Sequence, residues 1–172
     1  MADIIKFAVF NFTLTFFVIG MLIAVIQIFK ASPEHRTAEN IYEIVFKWFV
    51  LFSVGVTYFY NFIVHTFFGE VSARFIGWAD SPFQLEVGFA SLGYAFVGFI
   101  AFKKNWWLRL AAVVGPGLFM LGAAGGHVYQ MIVANNFAPG NAGIMFYSDL
   151  FLPAFGVLLL WLTKAKDQSH TG

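Results

Sequence analysis

Cysteine is absent from this chain, which excludes disulfides, thiolate metal sites and thiol redox chemistry and leaves the redox character of its compartment open. Charge is scarce: 11% of residues are Asp, Glu, Lys or Arg, and the formal net charge is +1. That balance offers no electrostatic footprint for nucleic acid. No H-E-x-x-H or E-x-x-H spacing occurs, so no metal motif can be read from local sequence. No internal repeat is present, and an odd number of apolar runs does not divide into the equal inverted halves of many carriers.

What fills the chain is hydrocarbon. Hydrophobic residues make up 60% of it, with 24 Phe, and they gather into five runs, about Ile5–Phe29, Ile44–Phe67, Leu85–Phe102, Leu108–Ala134 and Ala142–Thr163. Each is long enough to cross a bilayer core, which needs about 20 apolar residues as helix. A soluble domain of this composition would expose a large aggregating apolar surface. The expectation is an all-α polytopic bundle of five transmembrane helices forming a single domain over 1–172, with the lipid bilayer as its solvent. The first run is too long for the core of a cleaved signal and lacks a small-x-small site before Lys30, so it is expected to remain as a span.

Lys and Arg are distributed unevenly between the two ends of the stack. Lys30, Arg36, Lys47, Lys103, Lys104, Arg109, Lys164 and Lys166 share one end, and only Lys6 and Arg74 lie at the other. The positive-inside rule then places the C-terminus in the cytoplasm and the N-terminus outside, in a plasma or inner membrane. Trp48, Trp106, Trp107 and Trp161 fall at the same basic end, as an interfacial aromatic belt would.

The connections carry their own signals. Ser32-Pro33-Glu34 reads as a helix start leading into the second span. Lys103-Lys104-Asn105 reads as a tight hairpin between spans three and four. Glu43 and Lys47 stand four apart, as a helix-end ion pair would. Between spans two and three, Phe68, Val71, Phe75 and Trp78 recur at helical spacing with Glu70 and Arg74 on another face, which predicts an interfacial helix lying on the outer surface. The stretch Asn135–Asn141 is turn-rich and uncharged.

Counting along ideal helices places the ionisable residues in depth. His65 lies roughly 25 Å above Trp48, and Glu86, His127 and Gln130 fall in the same outer layer. Asp149, roughly 18 Å above Trp161, is the deepest acid. Phase matters equally. Tyr58, Asn61 and His65 form one stripe on span two, and Ala123, His127, Gln130 and Ala134 form another on span four. Span three has two small or polar faces, Glu86/Ala90/Gly93 and Gln84/Gly88/Ser91/Ala95/Gly98, which suggests a central helix. The Gly122 to Gly126 pair predicts tight packing of span four just below His127, and Pro116 a kink in the same helix.

A charge facing lipid costs about 2.5–3.5 kcal/mol on insertion scales, so Glu86 and Asp149 are expected to face protein or water. The candidate site is therefore Glu86, His127, Asp149, His65 and Gln130. Several chemistries fit that set. His65, His127, Glu86 and Asp149 could ligate a transition metal, with Gln130 or Tyr147 supporting them. The same groups could bind or relay protons. His65 and His127, at similar depth on parallel spans, could hold a b-type haem, which would make the protein a membrane oxidoreductase. The plainer reading is a polar network that fixes helix registry, or a non-catalytic subunit of a homo-oligomer or larger membrane complex. The phenylalanines could fill the bundle and meet lipid, or line a pocket for a quinone, carotenoid or lipid tail.

The segments Gly77–Phe89, Gly125–Gln130 and Asn136–Gly143 resemble signatures of an uncharacterised family of small polytopic membrane proteins of unknown function. The likeness extends from about Asn40 onward. It implies a shared fold and carries no activity and no functional residue with it.

Overall fold

A bilayer cannot hydrogen-bond a bare backbone, so long apolar runs satisfy their own amides as helix. The computed structural model describes residues 1–103 and 106–168, and among these no strand occurs. Lys104 and Asn105 of the expected hairpin, together with His170 and the side chain of Lys166, lie outside the described residues.

The helices are α1 (Ala2–Phe10), α2 (Phe12–Lys30), α3 (Ala38–Phe49), α4 (Thr57–Phe67), α5 (Gly69–Ile76), α6 (Phe83–Ala101), α7 (Trp106–Ala134), α8 (Pro139–Ala142) and α9 (Ile144–Gln168). Five stretches are long and apolar enough to cross a membrane: Phe12–Lys30, Ala38–Phe67, Phe83–Ala101, Trp106–Ala134 and Pro139–Lys164. The protein is thus an all-α polytopic bundle with five candidate spans, as its hydropathy predicts.

Boundaries differ where local chemistry intervenes. Span one breaks at Asn11, whose φ of −111° and ψ of 43° leave the helical region while its side-chain amide bonds back to Phe7 O at 2.9 Å. The helix start expected at Ser32-Pro33-Glu34 is one 3-10 turn at Pro33–His35, and the cap of α3 is Thr37, whose hydroxyl accepts from Asn40 N at 3.3 Å. Arg36 closes the end of α2 by donating to Phe29 O and Ala31 O. Residues Val50–Val56 join α3 to α4 as a π-helical segment, and Thr57 returns its hydroxyl to Phe52 O at 2.9 Å.

The core is built on α3, α4, α7 and α9, around the fully buried Phe46 and Val50. Span three is peripheral, contrary to the expectation from its two small faces: 22% of its window is buried, against 44% for span two and 39% for span four. Of its two small faces, the Gly88/Ser91/Ala95/Gly98 one packs, against span two, while Tyr94 of the same helix meets Phe119 of span four. Against span two the backbones approach so closely that a Cβ on Gly98 would lie 2.5 Å from Gly55 N. Glu86, Ala90 and Gly93 are exposed.

At the basic end, Glu43 pairs with the buried Arg109 at 2.6 Å, not with Lys47. Lys47 instead lies over the rings of Trp48 and Phe102, at 5.3 and 5.8 Å from their centroids. Trp48 donates to Gln27 Oε1 and Trp106 to Leu160 O, which ties α2, α3, α7 and α9 together at this level. Two tryptophans expected as belt residues therefore also serve as interhelical bonds.

The far end is covered by protein. α5 and α8 meet there, with Gly140 against the Phe75 ring and Phe10 tilted against Phe75 at 4.7 Å between centroids. α5 is the helix predicted between spans two and three, with the expected Glu70–Arg74 pair at 2.6 Å. It lies over the bundle, burying Ser72 and Ala73. Gly77 ends it with φ of +77°, a left-handed conformation that glycine adopts without strain.

Candidate functional site

A cavity of about 810 Å³ lies beneath α5, between α4, α6, α7 and α9. That is within the range of about 300–1,000 Å³ common for small-molecule sites. Its wall is mainly aromatic and aliphatic, with Phe12, Tyr58, Phe75, Trp78 and Phe119 among the lining rings. Among the described residues no lysine or arginine lines it. Tyr58, Asn61 and His65 all face it, so the polar stripe read on span two is a cavity wall. Of the stripe read on span four, Ala123 and His127 reach it and Gln130 does not.

Two polar clusters interrupt the apolar wall. In the first, His65 Nδ1 meets Gln84 Oε1 and Ser72 Oγ meets His65 Nε2 at 3.3 Å. With the carboxamide oxygen as acceptor, Nδ1 carries the proton and Nε2 accepts from the serine hydroxyl. Both ring nitrogens are then satisfied by protein. Beside this cluster, Asn61 donates to Ser91 Oγ at 2.9 Å, and Ser91 passes its own proton to Val87 O.

The second cluster centres on Asn141, which is 0% exposed. Its amide nitrogen donates to His127 O at 3.2 Å and to Asn136 O at 2.9 Å. Those two carbonyls orient the amide, so Oδ1 must be the acceptor for Trp78 Nε1 at 2.7 Å and for His127 Nδ1 at 2.8 Å. His127 is thereby fixed with a proton on Nδ1 and with Nε2 turned toward Asp149 Oδ2 at 3.5 Å. His127 and Asp149 are both buried, and the Trp78 ring packs 5.4 Å from the imidazole. The pair can hold one proton, either on the carboxyl or on Nε2 facing a carboxylate. These two states differ only in where that proton sits along the N···O line.

The position of Asp149 is held from the other side by Ser148, which accepts from Thr13 Oγ1 at 3.0 Å and so joins α9 to α2. Tyr58 donates to Pro116 O at 3.0 Å, taking up a carbonyl inside α7. Thr13, Tyr58 and Asp149 all line the cavity.

The expected site residues are therefore only partly assembled. His65, His127 and Asp149 line one cavity, whereas Glu86 is exposed in the first turn of α6 and Gln130 lies off the wall. Glu86 does not pair with His127, whose two nitrogens face Asn141 and Asp149. Among the described residues no three His, Asp or Glu side chains converge as a metal ligand set. Both nitrogens of His65 are bonded to protein, and Nε2 of His127 faces Asp149 Oδ2 at 3.5 Å. Tyr147 is exposed on α9, away from these clusters.

The packing expected at Gly122–Gly126 is also loose. A Cβ on Gly122 or Gly125 would meet nothing within 4 Å, and on Gly126 it would meet the Trp78 ring at 3.1 Å. Several contributors to the site leave no sign in the sequence: Asn141, Trp78 as a hydrogen-bond donor, Thr13, and Gln84 and Ser72 as the partners of His65. Gln84 does stand on one small or polar face of span three, and His65 in the stripe on span two.

A family model described as "Family of unknown function (DUF6790)" matches residues 10–169. No curated protein and no solved structure matches the chain.

Proposed function

The chain belongs to that family of unknown function, and from this premise we propose that it is an integral membrane binding protein for a small uncharged amphiphile. One observation carries the reading: a cavity of about 810 Å³ with an apolar wall, two polar clusters, of which the one around Asn141 is buried, and no lining cation among the described residues. A wall of this kind favours an apolar body, and its few convergent polar groups favour one compact polar head. A phosphate or carboxylate head would meet Asp149 without a compensating cation, at a desolvation cost of several kcal/mol. A hydroxyl or carbonyl head suits the groups present. Among the described residues no partner takes up Gln84 Nε2, and the carboxyl of Asp149 can accept or donate according to its proton.

A second reading rests on the His127–Asp149 pair: the protein binds or moves a proton there. This is the form of the small-cation reading that the geometry favours, because the pair needs no third ligand. In both readings the basic end lies in the cytoplasm and the cavity in the outer half of the membrane, as the Lys and Arg distribution suggests.

The test is saturable binding of an ω-bromo fatty alcohol, whose bromine quenches tryptophan on contact, to the protein in liposomes. Quenching should contain a saturable component that disappears in Trp78→Phe, since Trp78 lines the cavity. Quenching that rises only linearly with the alcohol in the bilayer would contradict the amphiphile reading. Asp149→Asn separates the second reading: it should remove proton uptake measured with a pH dye while leaving the saturable quenching within about threefold.

A further inference from the structure

We propose that the cavity is loaded sideways from the bilayer, through a window between α6 and α7, so that its ligand is a membrane-resident amphiphile and not a water-borne one. The inference rests on the binding reading above and adds the route and the source of the ligand.

Residues that line a cavity inside a bundle are normally buried by the neighbouring helix. Several residues that line this one are exposed, wholly or in part: Val9, Phe68, Val71 and Trp78 toward the far end, and four more on α6 and α7. On α7, Leu118 is 65% exposed and Gly122, one turn on, is exposed as well. On α6, Phe83 is 67% exposed and Val87, one turn on, is partly buried. All four belong to the cavity wall. Gly122 is the sharpest evidence, because a side chain added there would have open space on every side to 4 Å while its backbone borders the cavity.

The window has a floor and a ceiling. Toward the basic end, Tyr94 of α6 packs on Phe119 of α7 at 5.7 Å, and the Tyr94 ring lies 3.5 Å from where a Cβ on Gly115 would be. At the far end Trp78, anchored to Asn141, lies across Gly126. The two helices are therefore in contact below, Trp78 covers α7 above, and a Cβ on Gly122 between these levels would meet nothing within 4 Å. Both jambs are apolar side chains, which suits passage of hydrocarbon from the lipid phase. Glu86, exposed beside Val87, sets a carboxylate by the α6 jamb, so an anionic lipid head would meet acid both there and at Asp149. An uncharged head meets neither penalty.

The chain has no cysteine, so a single one at Gly122 can be modified selectively. Gly122→Cys should fold normally because the position is open. It is reconstituted in liposomes and treated with methanethiosulfonate reagents of increasing size. Stopped-flow quenching by the ω-bromo fatty alcohol then gives association rate and equilibrium amplitude separately. The expected result is an association rate that falls at least about tenfold with the largest reagent, recovers on reduction, and leaves the equilibrium amplitude largely intact. The rate should also follow the mole fraction of alcohol in the lipid when lipid is varied at fixed total alcohol. Unchanged rates through the largest reagent, or a rate set by aqueous concentration, would overturn the window. So would lost amplitude at unchanged rate, the behaviour of a group seated in the cavity. None of these results would touch the binding reading, which fails only if the unmodified protein shows no saturable quenching.

Discussion

Asn141 is the residue on which the far end of the bundle depends. It spends both amide hydrogens on backbone carbonyls and its oxygen on Trp78 and His127, joining α7, α8 and the segment after α5. Replacing it with leucine would leave the buried His127 donor and the part-buried Trp78 donor without their acceptor, at about 1–3 kcal/mol for a buried one and less for the other. Asn141→Leu should therefore lower unfolding stability in detergent by about 3 kcal/mol, whereas Asp149→Asn, which can still donate to His127 Nε2, should change it by less than about 1 kcal/mol. Equal losses in the two variants would mean that the His127–Asp149 contact, and not the asparagine, holds the cluster. Nothing in the sequence marked Asn141 out, because an asparagine among Pro, Gly and Asn reads as a turn residue. His65, His127 and Asp149 were legible, since an ionisable group deep in an apolar run has to face protein. Glu86 satisfied the same rule of depth and failed on azimuth: it is in the first turn of α6, on the face that packs against nothing.

At the scale of elements, the apolar runs alone located every span, and the errors came from choosing between faces. Small residues line both sides of α6, and only the chain's tertiary arrangement decides which side meets a neighbour. The Gly88/Ser91/Ala95/Gly98 face closes on span two at the π-helical segment, where Gly55 and Gly98 come together. In the Gly122–Gly126 pair, by contrast, Gly122 borders open space and Gly126 meets only the Trp78 ring. A single comparison separates the two uses of glycine. Gly98→Ala must push on the Gly55 backbone and should cost about 1–3 kcal/mol, while Gly122→Ala should be neutral within about 0.5 kcal/mol. A destabilised Gly122→Ala would indicate that Gly122 packs against a neighbour where the structure leaves open space. The ion pair at the basic end was likewise misassigned between neighbours. Glu43 has Lys47 one turn away on its own helix, but the distant Arg109 offers a partner whose burial demands a counter-charge.

For the whole molecule, the proposed orientation rests on charge counted at its two ends, and topology is the property most readily checked. Cysteines placed singly at Ala79 and Ala138 should react with an impermeant maleimide from outside intact cells, and one at Ser169 should react only after permeabilisation. Labelling at Ser169 in intact cells would invert the orientation and turn the cavity toward the cytoplasm. The bundle joins one end built for anchoring, with its tryptophans and the Glu43–Arg109 pair, to another built around space. The occupant proposed for that space is an uncharged amphiphile. Photo-crosslinking in liposomes with a neutral alkyl alcohol carrying a diazirine, followed by peptide mass spectrometry, tests this occupancy. Adducts are expected on the cavity faces of Tyr58–His65 and Leu118–His127, suppressed by excess unlabelled alcohol. Adducts spread evenly over the lipid-facing sides of all five spans, with no suppression by competitor, would contradict it.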